Sequence, residues 1–497
     1  MKILFVASEG VPFSKTGGLA DVVGALPKVL AARKHQVSVF LPRYRNTEPG
    51  KVILPSLSIP VGRRLHFPDI QQGKTLAGVK SFFVDYPNYF DRDGLYVDGG
   101  ADYPDNAERF ALFCRSVLEY VRRAGAPDVI HCHDWQAALV PVFLHTLYAG
   151  DPLLRGVPVV FTVHNLGYQG IFPPAVMERV GLPEELFTLE ALEFYGSVNF
   201  LKGALVYADF VTTVSRTYAQ EIQTPEYGNG LDGVIRQRTA TVTGIINGVD
   251  YSEWDPATDK FLAANYSPDK LEGKRACKKD LLEAFQLPST DLKKPLIGIV
   301  SRFATQKGFD LIAEEAEALM AEDLLVVALG TGEPAFEELF RDLAERFPEK
   351  FAVRVTYDNA LAHKIEAGSD IFLMPSRYEP CGLNQIYSLK YGTVPVVRAT
   401  GGLEDTIEPF DPRTGRGTGF KFREYSGEAL LDCLRQALAL YRENPAAWQR
   451  LMRNGMQKDF SWNASAADYE RLYRAVVKQA ASGYIEAAEE QPEGMAR

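Results

Sequence analysis

Short apolar runs recur along the whole chain, and amphipathic stretches separate them. The runs are rich in Val, Ile and Phe and mostly lack alternation of apolar and polar residues, as expected for strands covered on both faces. Regular alternation of strands with helices predicts an α/β protein with two doubly wound parallel sheets. The predicted strands are residues 2–7, 36–41, 79–84, 129–132, 159–163 and 210–214 in the first half, and 296–300, 324–329, 353–355, 371–374 and 394–397 in the second.

The length of 497 residues exceeds what one hydrophobic core normally supports, which agrees with two large domains. We expect an N-terminal domain over residues 1–250 and a C-terminal domain over residues 251–480, both Rossmann-like. The polar stretch 250–279 is expected to carry the chain between them. The helical pattern at 463–479 follows the last predicted strand and is expected to cross back onto the first domain, and residues 481–497 form a predicted polar tail.

Net charge and cysteine usage limit the partners and the compartment. A net charge of −10 argues against nucleic acid or an anionic membrane as the main partner. The five cysteines are scattered and form no CxxC pair, which favours a reducing compartment over a disulfide framework. No signal peptide is apparent, and no apolar stretch approaches the length of a membrane span. We therefore expect a cytoplasmic protein of bacterial type, although a mature plastid protein without its leader would look the same.

A glycine-rich turn with a neighbouring cation follows the first predicted strand and opens a helix. Its residues are Lys15-Thr16-Gly17-Gly18-Leu19-Ala20-Asp21. Backbone N–H groups at a helix N-terminus attract anions, and small residues let a phosphate approach closely. This favours a phosphate-binding role for Lys15 over that of a solvated surface lysine. The string differs from both GxxxxGK[ST] and GxGxxG, so it indicates neither a P-loop kinase nor a simple dehydrogenase.

A second pair of cations, Arg302 and Lys307, lies on the loop after the strand predicted at 296–300. Arginine offers a planar fork for phosphate oxygens and lysine a compact charge, so together they could neutralise a leaving diphosphate. The alternative is two ordinary surface cations; Gly308, which precedes a predicted helix, favours the functional interpretation.

A carboxylate, Glu379, follows the strand predicted at 371–374. Pro380 restricts Glu379 to extended backbone, and Gly382 permits a close backbone approach to a ligand. The carboxylate could bind sugar hydroxyls or stabilise positive charge at an anomeric carbon. The alternative is a surface ion pair with Arg377, which would contribute little. The neighbouring Cys381 is expected to pack rather than to react.

Polar residues also follow other predicted strands. The run His131-Cys132-His133-Asp134 invites a metal interpretation, but the further well-spaced ligands that zinc needs are missing, so we expect no metal and favour presentation of Asp134 to a cleft. His164 ends the next strand and is either a structural hydrogen-bonding residue or a contact of the transferred group. The turn Thr400-Gly401-Gly402 suits phosphate binding or tight packing.

Taken together, these strings resemble bacterial glycogen synthase and plant starch synthase, and they occur in that family's order along essentially the whole chain. The resemblance rests on Lys15-Thr16-Gly17-Gly18-Leu19-Ala20-Asp21, His133-Asp134-Trp135, Arg302 with Lys307, Glu379-Pro380-Cys381-Gly382-Leu383 and Thr400-Gly401-Gly402-Leu403. It implies a GT-B-type fold in which two Rossmann-like domains face each other across a deep cleft. It also implies transfer of glucose from ADP-glucose to the non-reducing end of an α-1,4-glucan, with retention at the anomeric carbon and without a metal or another cofactor.

The resemblance assigns roles to individual positions. Lys15 and the Gly17-Gly18 turn would contact the donor diphosphate from the first domain, and Arg302 and Lys307 from the second. His164 would contact the glucosyl unit, and Glu379 would bind it and support the transition state. The remaining positions placed at the substrates are Asp21, Asp134, Asn247, Cys381, Gly382, Leu383, Thr400, Gly401 and Gly402.

The residues by themselves agree with a mainly electrostatic mechanism in which cations stabilise the departing diphosphate and a hinge closes to exclude water. A retaining glycosidase would need two carboxylates beside the bond, and only Glu379 is well placed. Two alternatives stay open: another GT-B enzyme, such as a UDP-glucose-dependent transferase or an epimerase, and a non-catalytic glucan-binding homologue. The residues do not distinguish ADP-glucose from UDP-glucose as donor.

Overall fold

The computed structural model describes residues 1–290 and 292–489, with residues 483–489 described by their backbone alone. The chain divides into two compact units. The N-terminal unit contains residues 1–214, 219–248 and the chain from Trp462 onward, and the C-terminal unit contains residues 215–218 and 249–461. Among the described residues, no helix combines the length and the apolar character needed to cross a membrane.

The N-terminal unit is built on a nine-stranded sheet. All six strands predicted for this half are present, and the structure adds one strand at one edge and two at the other. The two added strands at the second edge are antiparallel, whereas the other neighbours pair in parallel. The order is Val242–Gly244, Phe210–Thr213, Val159–Val163, Val129–His133, Lys2–Val6, Gln36–Pro42, Lys80–Asp85, Asp69–Gln72 and Lys51–Leu54.

The C-terminal unit is built on a six-stranded, fully parallel sheet. The five predicted strands are confirmed, and Phe420–Phe422 is an additional edge strand. Alternate residues of one strand enter different cores: Ile297 and Ile299 pack on one face, and Leu296 packs on the other. Both faces are therefore apolar, which is why the strands read as continuous apolar runs. The order is Phe351–Val355, Leu325–Gly330, Leu296–Val300, Ile371–Met374, Val394–Arg398 and Phe420–Phe422.

Helices cover these two sheets, and the described part of the N-terminal unit also contains three small antiparallel sheets. Its helices are Gly18–Ala32, Pro87–Phe90, Asn106–Ala124, Asp134–Ala137, Leu139–His145, Val176–Val180, Phe200–Tyr207, Asp232–Gln237 and Trp462–Glu489, and Arg216–Glu221 is shared between the units. The C-terminal helices are Glu272–Ala284, Phe309–Glu314, Ala316–Ala321, Pro334–Arg346, Asn359–Gly368, Asn384–Lys390, Gly401–Thr406, Gly427–Glu443 and Pro445–Met456. The small antiparallel sheets are Ile171–Phe172 with Ser197–Asn199 and Glu193–Phe194, Ile59–Val61 with Arg64–His66, and Val97–Asp98 with Ala101–Asp102.

The last helix, Trp462–Glu489, packs into the core of the N-terminal unit. Its buried side chains include Tyr469 and Tyr473, which share one apolar cluster with Phe5. The predicted polar tail at 481–497 therefore begins inside this helix, and residues 490–497 lie outside the described part of the chain.

The stretch 250–279, predicted to carry the chain between the domains, belongs to the C-terminal unit. Its helical end buries the ammonium of Lys274, which donates to the carbonyl oxygens of Ala367 and Tyr391 and to Oγ1 of Thr393. Polar composition therefore does not distinguish a solvated linker from a segment that is anchored to a core through buried polar groups.

Candidate active site

In the C-terminal unit, predicted site residues line a cavity of about 180 Å³ at the carboxyl ends of neighbouring strands. The strands Leu296–Val300 and Ile371–Met374 pair in parallel, so the loops that follow them meet at one edge of the sheet. Five of the predicted residues lie on this cavity: Arg302, Lys307, Glu379, Gly382 and Leu383. The structure thus brings together residues that are about 80 positions apart in the sequence, as open α/β sheets generally do at their ligand-binding edge.

The centre of the cavity is a largely buried ion pair. Nζ of Lys307 lies 2.6 Å from Oε2 of Glu379, with side-chain exposures of 16% and 7%. The hydroxyl of Ser376 donates to the same carboxylate oxygen at 3.0 Å. Two donors hold the carboxylate in one orientation, and the alternative surface pair of Glu379 with Arg377 is absent among the described contacts because Arg377 pairs with Asp310 instead.

Close backbone packing holds the Glu379 loop in place. A Cβ atom at Gly401 would lie 2.0 Å from the carbonyl oxygen of Glu379, and one at Gly402 would lie 1.8 Å from that of Cys381. The backbone N–H of Gly402 donates to the Glu379 carbonyl at 2.9 Å. These glycines therefore support the loop that carries the carboxylate, and only residues without a Cβ fit there.

Four predicted binding residues of the C-terminal unit are not on the lining of this cavity: Cys381, Thr400, Gly401 and Gly402. Cys381 is buried, as the sequence predicted, and Thr400 precedes the helix Gly401–Thr406. Of the two interpretations given to the Thr400-Gly401-Gly402 turn, tight packing is the one that this geometry supports directly.

In the N-terminal unit, the glycine turn leads into the helix Gly18–Ala32. A Cβ atom added at Gly17 or Gly18 would meet no other atom within 4 Å, so packing inside the protein does not require glycine at either position. The open space in front of both residues suits the close approach of a ligand to the backbone N–H groups at the helix start.

A buried carboxylate that the sequence analysis missed, Glu9, anchors this turn. The backbone N–H of Thr16 donates to Oε2 of Glu9, and the Thr16 hydroxyl donates to Oε1 at 3.0 Å. Burial raises the pKa of Glu9, and the bonds from Thr16 counteract the shift. Nζ of Lys15, just before the turn, lies 2.7 Å from Asp21, and both side chains are partly exposed.

Asp134 and His164 are brought together at the ends of two neighbouring strands. The backbone N–H of His164 donates to Oδ1 of Asp134 at 2.7 Å. Asp134 has φ = 55°, a left-handed conformation that is uncommon for residues other than glycine. Burial raises the pKa of Asp134 to about 7 and lowers the pKa of His164 to about 3, so the imidazole is neutral at physiological pH.

Asn247 and the pair formed by Ser8 and Tyr96 are further polar features of the N-terminal unit. Asn247 is buried, and its Oδ1 atom has no hydrogen-bond partner among the described residues. An unsatisfied buried oxygen is unusual and agrees with a position that receives a hydrogen bond from a ligand. The hydroxyls of Ser8 and Tyr96 lie 2.7 Å apart, which ties the loop around Tyr96 to the end of the first strand.

The residues that sequence reasoning missed are those that support others. Glu9 and Ser376 each accept from or donate to a residue of their own loop, whereas Asn384 donates to the carbonyl of the distant Val300 at 2.6 Å. The position of Glu9 and Ser376 directly after strands was a usable signal, but the partner of each depends on the backbone path of its loop. Within residues 1–290 and 292–489, no group of three or more His, Cys, Asp or Glu side chains is arranged to hold a metal ion.

Comparison with known proteins extends over nearly the whole chain. Residues 2–237 match the family model described as starch synthase catalytic domain, and residues 283–454 match the one described as glycosyl transferases group 1. The glycogen synthase of Koribacter versatilis is 62% identical over 475 residues, 95% of this chain and 98% of that protein. The glycogen synthase of Moorella thermoacetica is 48% identical over 482 residues, 96% of this chain and 97% of that protein.

Among solved structures, the catalytic domain of starch synthase IV from Arabidopsis thaliana, bound to ADP and acarbose, matches with a TM-score of 0.86. The sequence identity is 34%, and the match covers 96% of this chain and 99% of that one. The two α/β units are those of a GT-B-type glycosyltransferase, and the predicted fold class is confirmed. The chain belongs to the family of glycogen and starch synthases.

Proposed function

We propose that this chain transfers glucose from ADP-glucose to the non-reducing end of an α-1,4-glucan with retention of the anomeric configuration. Family membership supports the reaction class, and the starch synthase that it resembles was solved with ADP and acarbose, a nucleotide and an oligosaccharide analogue. The observation that carries the proposal is the Lys307–Glu379 pair in the strand-end cavity of the C-terminal unit, beside Arg302.

In the proposed reaction, the C-terminal unit is the nucleotide-sugar side. Arg302 and Lys307 neutralise the diphosphate as its bond to glucose breaks, because cations stabilise the negative charge that grows on the leaving group. Glu379 binds the glucosyl unit and stabilises the positive charge at its anomeric carbon. Lys307 and Ser376 both donate to this carboxylate and fix its orientation, so it is in place before the reaction starts.

The N-terminal unit is the acceptor side and supplies the second set of contacts to the donor. Lys15 and the Gly17-Gly18 turn bind the diphosphate, supported by the open space at both glycines and by the anchoring of Thr16 on Glu9. Donor binding replaces the exposed Lys15–Asp21 pair, which costs little because exposed ion pairs are weak.

The glucosyl unit is contacted in the N-terminal unit by His164, with Asp134 and Asn247 near it. Asp134 holds the backbone of His164, and the unsatisfied Oδ1 of Asn247 accepts a hydrogen bond from a sugar hydroxyl. No second carboxylate is needed as a nucleophile: as the bond from the anomeric carbon to the diphosphate breaks, the glucan hydroxyl attacks the same face of the sugar and gives its proton to the departing phosphate oxygen.

A location in the cytoplasm is part of the proposal. It is supported by the five cysteines, all within the described residues, each of which is a buried thiol rather than half of a disulfide.

The decisive experiment incubates the purified chain with glycogen primer and either ADP-[¹⁴C]glucose or UDP-[¹⁴C]glucose. The proposal expects label in precipitable glucan that β-amylase, which cleaves α-1,4 chains from the non-reducing end, releases completely. Incorporation should be much faster from ADP-glucose. Label that enters glucan mainly from UDP-glucose would refute the donor assignment. Binding of glycogen without incorporation from either donor would establish the non-catalytic alternative.

A further inference from the structure

A second histidine lies directly behind His164. His133 ends the strand Val129–His133, and the neighbouring parallel strand Val159–Val163 brings His164 next to it. Nδ1 of His133 and Nε2 of His164 are 3.0 Å apart, so one of the two nitrogens donates a hydrogen bond to the other. His133 is completely buried.

The ring of His133 is held in a single orientation by its neighbours. Phe5 stacks on it nearly in parallel, with ring centroids 5.5 Å apart and an interplanar angle of 11°. On another side lies His131, with its centroid 4.1 Å away. His131 is itself fixed at both ring nitrogens, by the hydroxyls of Tyr473 at 2.7 Å and Thr162 at 2.6 Å.

The direction of the hydrogen bond between the two histidines follows from the unpaired nitrogen of His133. Burial lowers the pKa of both His133 and His164, so each ring is neutral and carries one N–H. Nε2 of His133 is buried and has no partner among the described residues. If His164 were the donor, His133 would have to place its own proton on that orphaned Nε2.

A buried N–H without an acceptor is rarer in proteins than a buried acceptor without a donor. The favoured arrangement therefore has the proton of His133 on Nδ1, donating to Nε2 of His164, with a lone pair at the orphaned position. Because neutral imidazole has only one proton, His164 must then carry its proton on Nδ1.

We propose that His133 is a positioning residue that selects the Nδ1–H tautomer of His164 and so makes His164 a hydrogen-bond donor to an oxygen of the glucosyl unit. The inference rests on the proposed function for the presence of a sugar at His164. The opposite tautomer would offer the sugar only a lone pair, which a sugar hydroxyl could use by donating its own proton but an ether oxygen could not use at all.

The tautomer is tested by long-range ¹H–¹⁵N correlation spectra of the intact chain, labelled with ¹⁵N in the histidine rings. The resonances of His133 and His164 are assigned by their loss in His133→Asn and His164→Gln. We expect protonated-type shifts at Nδ1 of both rings and an unprotonated-type shift at Nε2 of His164. A protonated Nε2 on His164 would overturn the proposal.

Kinetics test the consequence with two substitutions of His133. Asparagine places an amide N–H close to the position of Nδ1 and can donate to His164, whereas phenylalanine keeps the ring and removes the donor. We expect kcat of His133→Phe to fall about 10- to 100-fold with the KM for ADP-glucose nearly unchanged, because loss of a buried hydrogen bond costs about that factor. His133→Asn should recover most of the rate.

The matched control is His145→Phe, the same substitution at an exposed histidine that the site does not use, and it should leave the rate unchanged. Equal loss of rate in His133→Asn and His133→Phe, or none in either, would overturn the proposal. If His133→Phe fails to fold, the wild-type spectra and His133→Asn still decide. A wild-type chain that transfers no glucose would defeat the proposed function, whereas a protonated Nε2 on His164 in an active chain would defeat this inference alone.

Discussion

Replacing Glu379 by glutamine separates the catalytic role of this carboxylate from its structural role. Glutamine keeps the shape of the side chain and an oxygen that can accept from Ser376, but it removes the negative charge that faces Lys307. Wild-type Lys307 is 84% shielded from solvent, so the substitution leaves a largely buried ammonium without its counter-charge. Breaking a fully buried pair costs about 3–5 kcal/mol.

Because Lys307 borders an open cavity, water can solvate part of its charge, and we expect a loss of about 2 kcal/mol in the free energy of unfolding. The catalytic loss should be larger. A preorganised charge that stabilises the transition state contributes a factor of about 10²–10³ to kcat. The kcat of Glu379→Gln should therefore fall by at least that factor, while glycogen binding persists.

Urea unfolding and initial rates with ADP-[¹⁴C]glucose measure the two effects on the same preparation. The double variant Glu379→Gln/Lys307→Met removes the unpaired charge and should recover stability without recovering activity. Glu317→Gln, which breaks an exposed pair with Arg346, serves as the matched control and should change neither quantity. A kcat for Glu379→Gln within threefold of wild type, in a folded protein, would refute the assignment of Glu379 as catalytic.

Three other substitutions test the remaining parts of the site. Lys15→Ala should raise the KM for ADP-glucose at least tenfold (about 1.4 kcal/mol of lost binding), because the proposed partner of this lysine is the donor. Glycogen affinity and melting temperature should change little, since the side chain is partly exposed. A defect confined to glycogen binding would contradict the assignment of Lys15 to the donor. The stability of Asp134→Asn relative to wild type should increase by about 2 kcal/mol as the pH rises from 5 to 7. The pKa of Asp134 is higher in the folded protein than in the unfolded chain, so the wild-type carboxyl contributes stability below its unfolded pKa that is lost as the pH rises toward 7, whereas asparagine does not titrate. Parallel unfolding profiles of the two proteins would rule this out. Gly402→Ala should destabilise the protein by about 1–3 kcal/mol and reduce kcat more than tenfold, because the new Cβ would collide with the carbonyl of Cys381 and shift the Glu379 loop. The control Gly150→Ala, whose Cβ would meet no atom within 4 Å, should behave as wild type in melting and transfer assays.

How far the site could be read from the sequence varied with the kind of residue. Arg302, Lys307 and Glu379 were identified because charged residues after buried strands of an α/β sheet collect at the ligand-binding edge, and the structure places all three on one cavity. Their supporting residues were not identified. Ser376 donates to Glu379, three positions further on, and Glu9 accepts from Thr16, seven positions further on; both contacts are local, but they require a backbone path that the residue types of the loop do not specify.

The two glycine pairs also show that the local sequence does not reveal which part of the structure a residue contacts. The turns Gly17-Gly18 and Gly401-Gly402 look alike in sequence, and both lie at the start of a helix that follows a strand. In the structure, the first pair faces open space and the second pair is pressed against the backbone of the Glu379 loop. The local sequence predicts a glycine turn, but only the tertiary structure shows whether the space beside the glycines is open to a ligand or filled by another part of the chain.

The sequence by itself determined the class of fold, because the period of apolar residues specifies strands and helices locally and the strands of a sheet covered on both faces must be apolar throughout. It also determined which residue types stand at the strand ends. The order of strands decided which strand ends meet, and it placed His133 beside His164. Such pairings link distant parts of the chain and arise from the packing of whole elements, so no local pattern of residues encodes them.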